Sequence, residues 1–194
     1  MLRRELVFCL LGGHGVTYEL ATSATSVVLA LRPFAASWTY ADLLPTIHSE
    51  LRKAQFEPRR KDGGLRRYRY PARKARLLAD AVWWVHERGG LGEGLTKRHA
   101  EAERRDWLCS CPGVGLKTAS WLLRNCGWAR ELAILDVHLL RAMTEAGVIN
   151  DERLPRDYLQ IERAYLDWAQ RLGACPAALD LFLWDVQRTR RARR

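Results

Sequence analysis

No apolar run in this chain comes near the roughly 18 uninterrupted residues that a membrane-spanning helix requires. The short run Leu6–Leu11 follows basic residues but lacks a small-residue cleavage site, so it does not read as a secretory signal. Cysteine is sparse. Cys9, Cys109, Cys111, Cys126 and Cys175 form an odd set in apolar surroundings, which fits a reducing cytoplasm better than a disulfide framework. Cys109 and Cys111 stand closer than a zinc C-x2-C pair, and no four-cysteine spacing exists, so no iron–sulfur cluster is expected. The cysteines read as small buried hydrophobes. No segment alternates with period two and no repeat is visible. The glycines of Gly89–Gly94 lack a preceding strand and a lysine-serine ending, so that stretch reads as a turn and not as a phosphate loop.

What the chain has is positive charge: 32 Lys plus Arg against 22 Asp plus Glu, a net +10. Such a field draws polyanions, and neutralised phosphates release counterions. Nucleic acid is the first candidate partner. An anionic membrane surface is the second, disfavoured because the basic residues are not gathered on a helix with a large apolar face. Helical spacings of apolar residues cover Glu5–Leu11, Tyr18–Leu31, Tyr40–Gln55 (opening at Asp42-x-x-Pro45), Arg73–Glu87, Thr96–Trp107, Val137–Ala146, Leu159–Leu172 and Ala177–Arg188. The fold class is therefore all-α, with enough length for one core or two small lobes sharing a cleft. Between Arg59 and Lys74, eight basic residues are interleaved with Tyr68 and Tyr70. That composition describes either a solvated loop or, the reading preferred here, a phosphate-contacting loop with rings available for stacking.

The most informative stretch is Leu108-Cys-Ser-Cys-Pro-Gly-Val-Gly-Leu-Lys117-Thr-Ala-Ser-Trp-Leu-Leu123. Pro112 ends one helix, Gly113 and Gly115 permit a tight reversal, Val114 plugs it, and a second helix starts near Leu116. The exposed amides and positive dipole end of that helix make an anion site, and glycine lets a phosphate come close. Main-chain carbonyls around the hairpin can also hold a monovalent cation. The same segment also allows a plain turn between packed helices, or a passive DNA clamp.

Lys117 separates these readings. At a helix N-terminus the dipole, together with partial burial, favours its neutral amine, the form that attacks carbon. The ordinary alternative is a lysine that binds phosphate. Asp136, 19 residues on, stands where the next helix begins. It serves either as a plain N-cap or as a carboxylate that stabilises positive charge developing on deoxyribose C1′ and helps deprotonate the lysine. His138 beside it suits either a phosphate contact or a partly buried structural role.

Cys111-Pro-Gly-Val-Gly-x-Lys117-Thr-Ala, followed by Leu135-Asp136-Val-His138, resembles the helix-hairpin-helix–Gly/Pro–Asp DNA glycosylase superfamily. Within it, Gly115-Leu-Lys117-Thr-Ala-Ser-Trp-Leu-Leu-Arg-Asn125-Cys-Gly127 is most similar to the compact archaeal and bacterial second family of 8-oxoguanine DNA glycosylase/AP lyases. Glu5–Leu11, Tyr70-x-x-x-Arg73-Lys74-Ala75, Tyr158–Glu162 and Leu179–Trp184 extend the likeness over most of the chain.

The resemblance implies a two-lobed helical fold with a cleft between the lobes, one comprising 1–55 plus 150–194 and the other 70–149, with the helix-hairpin-helix at 100–125. It implies a double-stranded DNA partner bound by a monomer in the cytoplasm, and a damaged base flipped out of the duplex. Lys117 would attack C1′, and a Schiff base would permit β-elimination, with Asp136 assisting. Gly113, Val114, Gly115, His138, Arg73 and Lys74 would contact DNA. The carbonyls of Cys109, Cys111 and Val114 would hold the cation, with no other cofactor required.

Trp184 on the last helix would stack on the base, or serve as a core tryptophan. Two departures bear on specificity: the family's first helix is largely absent ahead of Glu5, and Gly12–Glu19 replaces a small-polar stretch at the pocket wall. A wall bearing His14 and Tyr18 leaves open another modified base, as in defence against phage DNA.

Overall fold

The computed structural model of the chain describes residues 1–13, 15–150 and 156–192. Ten α-helices are named among them: α1 (Leu2–Leu11), α2 (Tyr18–Ala30), α3 (Tyr40–Arg52), α4 (Pro71–Glu87), α5 (Leu91–Thr96), α6 (Glu101–Cys109), α7 (Leu116–Asn125), α8 (Val137–Glu145), α9 (Tyr158–Arg171) and α10 (Pro176–Ala192). The one β pairing among the described residues is an isolated antiparallel bridge between Phe56 and Arg66. The all-α reading holds.

The helices gather into two compact units, one of residues 1–98 with 107–114, the other of 99–106 with 115–194. This division differs from the expected lobes, which joined 150–194 to 1–55. In the first unit α1 packs on α2, α4 and α5, and α3 packs on α2 and α4. The first of these helices therefore share their unit with α4 rather than with the C-terminus. In the second, α10 packs on α8 and α9. Its Leu179 and Leu183 close over a buried cluster of Ala133, Leu135, Leu139, Met143, Ile149, Tyr158, Ile161 and Tyr165.

Several helix boundaries differ from the sequence reading. Thr39 caps α3, its hydroxyl accepting from the Asp42 amide at 3.2 Å, so Pro45 lies inside the helix and not at its start. The expected Gly89–Gly94 turn is largely the short helix α5. Its Leu91 and Leu95, spaced i and i+4, are both buried, and that packing overrides the poor helix propensity of Gly92 and Gly94. Gly94 is required there because the Trp107 ring occupies the place a Cβ would take. Residues 97–100 form the connection, and α6 begins only at Glu101, with the Glu103 carboxylate accepting from the His99 and Ala100 amides.

The second unit contains a buried ion pair. Arg105 Nη1 donates to both Glu162 oxygens, at 2.6 and 2.5 Å, with both side chains under a tenth exposed. Removing one partner strands a charge, so Glu162→Ala is expected to cost about 3–5 kcal/mol by urea unfolding. The double variant Arg105→Met/Glu162→Leu should recover part of that loss, because it removes both charges together but still leaves the Ala133 amide without its acceptor.

Candidate functional site

The chain reverses between α6 and α7 through a run of local hydrogen bonds. The Ser110 amide donates to Trp107 O at 3.1 Å, Cys111 to Leu108 O at 2.9 Å and Val114 to Cys111 O at 3.0 Å. Gly113 makes the reversal possible. Its φ is +81°, and a Cβ there would lie 2.9 Å from Leu77 Cδ2 and 3.2 Å from Leu10 Cδ2.

Gly115 does something else. Its φ of −98° and ψ of 180° suit any residue, and a Cβ would meet nothing within 4 Å. Among the described residues no contact asks for glycine at this position. Gly115 is the N-cap of α7, without a side-chain cap, and the first turn holds no acidic residue. The leading amides of α7 are thus without a side-chain cap, and beside them no described atom outside the adjoining residues comes within 4 Å of a Cβ placed on Gly115.

Lys117 is the second residue of α7 and is exposed, so the partial burial expected of it is not found. Asp136 is half-buried as the N-cap of α8. Its Oδ1 accepts from the amides of His138 at 2.8 Å and Leu139 at 2.9 Å, and Oδ2 takes no part in the cap. The flanking Leu135 and Leu139 are fully buried, which anchors the carboxylate on both sides. His138 is half-buried, its Nδ1 screened from solvent without a hydrogen-bonding partner among the described residues, and its ring meets the Trp184 ring edge-on at 6.2 Å. The second unit therefore brings Asp136, His138 and Trp184 together and carries Lys117 on α7.

Other candidates belong to the first unit. Tyr18 is 70% exposed at the start of α2, its ring edge-on to Phe8 at 5.6 Å. His14 lies outside the described residues. Arg73 is exposed. Lys74 is not presented as a DNA contact in this structure: its ammonium donates to the carbonyls of Leu10 and Gly12, the latter at 2.8 Å. Those two carbonyls at the end of α1 attract the cation inward. Burial, and secondarily Arg73, hold the Lys74 pKa below that of an ordinary lysine.

The basic loop is likewise turned partly inward. Tyr68 is buried, its hydroxyl on Leu11 O and its ring edge-on to Phe56, so it is unavailable for stacking. Arg66 donates to Pro58 O at 2.6 Å and Arg59 to Gly63 O at 2.8 Å, and the Arg69 guanidinium covers the Tyr70 ring at 5.1 Å.

Burial pushes the Cys111 thiol up to about 12, so it stays protonated at neutral pH. Among the described residues no group of three or more His, Cys, Asp or Glu side chains is arranged to hold a metal. No described helix is long and apolar enough to cross a membrane.

Sequence reasoning passed over four residues behind Asp136. Glu162 and Asp180 accept the consecutive amides of Ala133 and Ile134, Arg124 reaches Leu132 O, and Tyr158 donates to Ala133 O. Arg124 and Asp180 stand among apolar neighbours on helical stripes, and a charge in such a position was the available signal.

An all-helical chain with an uncapped hairpin helix, a lysine in its first turn and an aspartate-capped helix beyond defines a helix-hairpin-helix protein. The family model for 8-oxoguanine DNA glycosylase matches residues 1–174, and the chain belongs to that family. It is 34% identical over 124 residues to an 8-oxoguanine DNA glycosylase/AP lyase of Thermotoga petrophila, covering 60% of this chain and 56% of that one. A protein of the same description from Metallosphaera sedula is 30% identical over 122 residues, covering 62% and 58%. The chain thus matches a little over half the length of these relatives.

Among solved structures, the 8-oxoguanine DNA glycosylase of Thermotoga maritima superposes with a TM-score of 0.67 at 26% identity, covering 95% of this chain and 78% of that one. A Methanocaldococcus jannaschii 8-oxoguanine glycosylase/lyase, solved with a 15mer DNA containing 8-oxoguanine, shares the fold at a TM-score of 0.64 and 20% identity, covering 95% and 79%.

Proposed function

We propose that the chain is a bifunctional DNA glycosylase/AP lyase that excises 8-oxoguanine from double-stranded DNA. The observation that carries this reading is an exposed lysine in the first turn of a helix whose N-terminus has no side-chain cap, in a chain that also caps its next helix with aspartate. The relatives' description and the DNA-bound neighbour support the same base.

A backbone phosphate accepts from the first amides of α7 across Gly115, and the damaged nucleotide is flipped out of the stack. The Lys117 amine attacks C1′ as the C1′–N9 bond breaks, and the base leaves with that electron pair and takes a proton. Asp136 Oδ2 stabilises the cationic character of C1′ and accepts the proton that the lysine sheds. Ring opening gives an iminium between Nζ and C1′. Loss of a C2′ proton then expels the 3′ phosphate and nicks the strand.

The carbonyls of Cys109, Cys111 and Val114 would hold a monovalent cation when one binds. Cys111 O already accepts from Val114, which leaves it one lone pair for an ion. We place the protein on the nucleoid in the cytoplasm, acting as a monomer.

Borohydride trapping on an 8-oxoguanine duplex, beside a panel of other modified-base duplexes, tests the reading. A covalent adduct formed with 8-oxoguanine supports it. An adduct formed only with another base replaces the substrate, and none with any duplex overturns the lyase mechanism. Gly115→Ser tests the phosphate contact separately. Serine is a better N-cap, so stability should hold or rise by about 0.5 kcal/mol. Its side chain fills the approach to the amides, so DNA affinity should fall about tenfold or more, the loss of one charge-assisted hydrogen bond. Thermal melting and fluorescence anisotropy measure the opposed effects.

A further inference from the structure

Asp136 is placed by more than its own cap. The four residues before it, Leu132 to Leu135, run without helix or sheet partners, yet their main chain is bonded at three successive positions. The Leu132 carbonyl accepts from Arg124 at 3.3 Å. The Ala133 amide donates to Glu162 at 3.0 Å, and its carbonyl accepts from Tyr158 at 2.8 Å. The Ile134 amide donates to Asp180 at 3.1 Å.

The same oxygen of Asp180, Oδ2, accepts Arg124 Nη1 at 2.6 Å, with both side chains about nine-tenths buried. The other nitrogen of that guanidinium, Nη2, donates to Ala177 O at 2.9 Å in the first turn of α10. Arg124 stands in the last turn of α7, the helix that bears Lys117 in its first. Seven residues of rigid helix, about 10 Å, separate the two.

One carboxylate oxygen on α10 therefore ties the helix of the lysine to the segment two residues ahead of the aspartate. A buried ion pair is a poor way to gain stability, since desolvation offsets most of its attraction. Its distinctive product is geometry: a guanidinium fork and a shared oxygen fix directions that apolar packing does not. From this arrangement we infer that Asp180, held by Arg124, is a positioning residue that sets Asp136 relative to Lys117 for the chemical step. The inference rests on the glycosylase/lyase reading above.

The test is single-turnover cleavage of an 8-oxoguanine duplex at saturating protein, with binding measured in parallel by anisotropy and the folded fraction by circular dichroism. Asp180→Leu, which removes the acceptor while keeping the branched outline of the side chain, should slow cleavage about 10- to 100-fold, the usual penalty for a misplacement on the order of 1 Å. Its affinity for DNA should stay within about threefold, because no phosphate contact is altered. Asp180→Asn keeps an oxygen for Ile134 and Arg124 and should restore the rate to within about fivefold of wild type.

The inference is overturned by a leucine variant within twofold of wild type, by a rate that falls only with the folded fraction or in step with binding, or by asparagine that restores nothing. Should the leucine variant not fold, Arg124→Lys keeps the charge but loses the fork to Leu132 and Ala177. A slower rate with unchanged binding then supports the role, and an unchanged rate rejects it. A wild-type protein that forms no adduct overturns the lyase reading itself and this assignment with it, whereas an active wild type with a fully active Asp180→Leu overturns the assignment alone.

Discussion

Lys117→Gln is expected to abolish borohydride trapping and strand nicking while leaving DNA binding nearly intact. Glutamine has no amine to form an iminium, so the covalent route closes completely and the rate is lost by roughly a thousandfold or more. The side chain is exposed, so its replacement removes no buried contact and the melting temperature should hardly move. Affinity for the duplex should fall only by the loss of one surface charge, about tenfold at most at moderate salt. A variant that still forms the adduct would place the nucleophile elsewhere. A variant equally active in nicking would leave the hairpin as a DNA clamp with no role in bond breaking.

Asp136→Asn carries the second large effect, and it separates two roles held by one side chain. Asparagine caps a helix about as well as aspartate, so the bonds from the His138 and Leu139 amides should persist and stability should change by no more than about 0.5 kcal/mol. What vanishes is the charge on Oδ2, which in the proposed mechanism faces a cationic sugar carbon and a lysine that must lose a proton. Losing one such electrostatic contribution costs about 10²–10³ in rate. The expected result is therefore a slow enzyme with a normal melting curve. A slow enzyme whose melting temperature has dropped sharply would mean that the cap alone explains the residue. Normal excision would remove Asp136 from the chemistry.

Much of this site is legible in the linear chain because its parts are local. Pro112-Gly-Val-Gly115 announces a reversal, and α7 begins at Leu116 as its apolar spacing predicts. Asp136 stands before an apolar-periodic stretch and caps α8. Each of these depends on residues within a turn or two of one another. The readings that failed depend on distant neighbours. Gly89–Gly94 carries the marks of a turn, but buried Leu91 and Leu95 draw most of it into a helix. Tyr68 and Lys74 look like solvent-facing members of a basic loop, yet one is buried with its hydroxyl on Leu11 O and the other spends its charge on the carbonyls of Leu10 and Gly12. Gly115 reads in the sequence as a turn glycine, but of the two hairpin glycines only Gly113 has the backbone that demands glycine.

The sequence by itself determined the helical class, the hairpin, the net positive charge and the identity of the two residues proposed for catalysis, because helix periodicity, glycine and capping act over a few residues. Only the tertiary structure decided how the helices group into units and which basic groups face outward. It alone revealed the buried pairs Arg105–Glu162 and Arg124–Asp180, whose members stand 57 and 56 residues apart. No local rule links positions so distant. They meet where α6 lies beside α9 and α7 beside α10, and a charge carried into that interior must find a partner there.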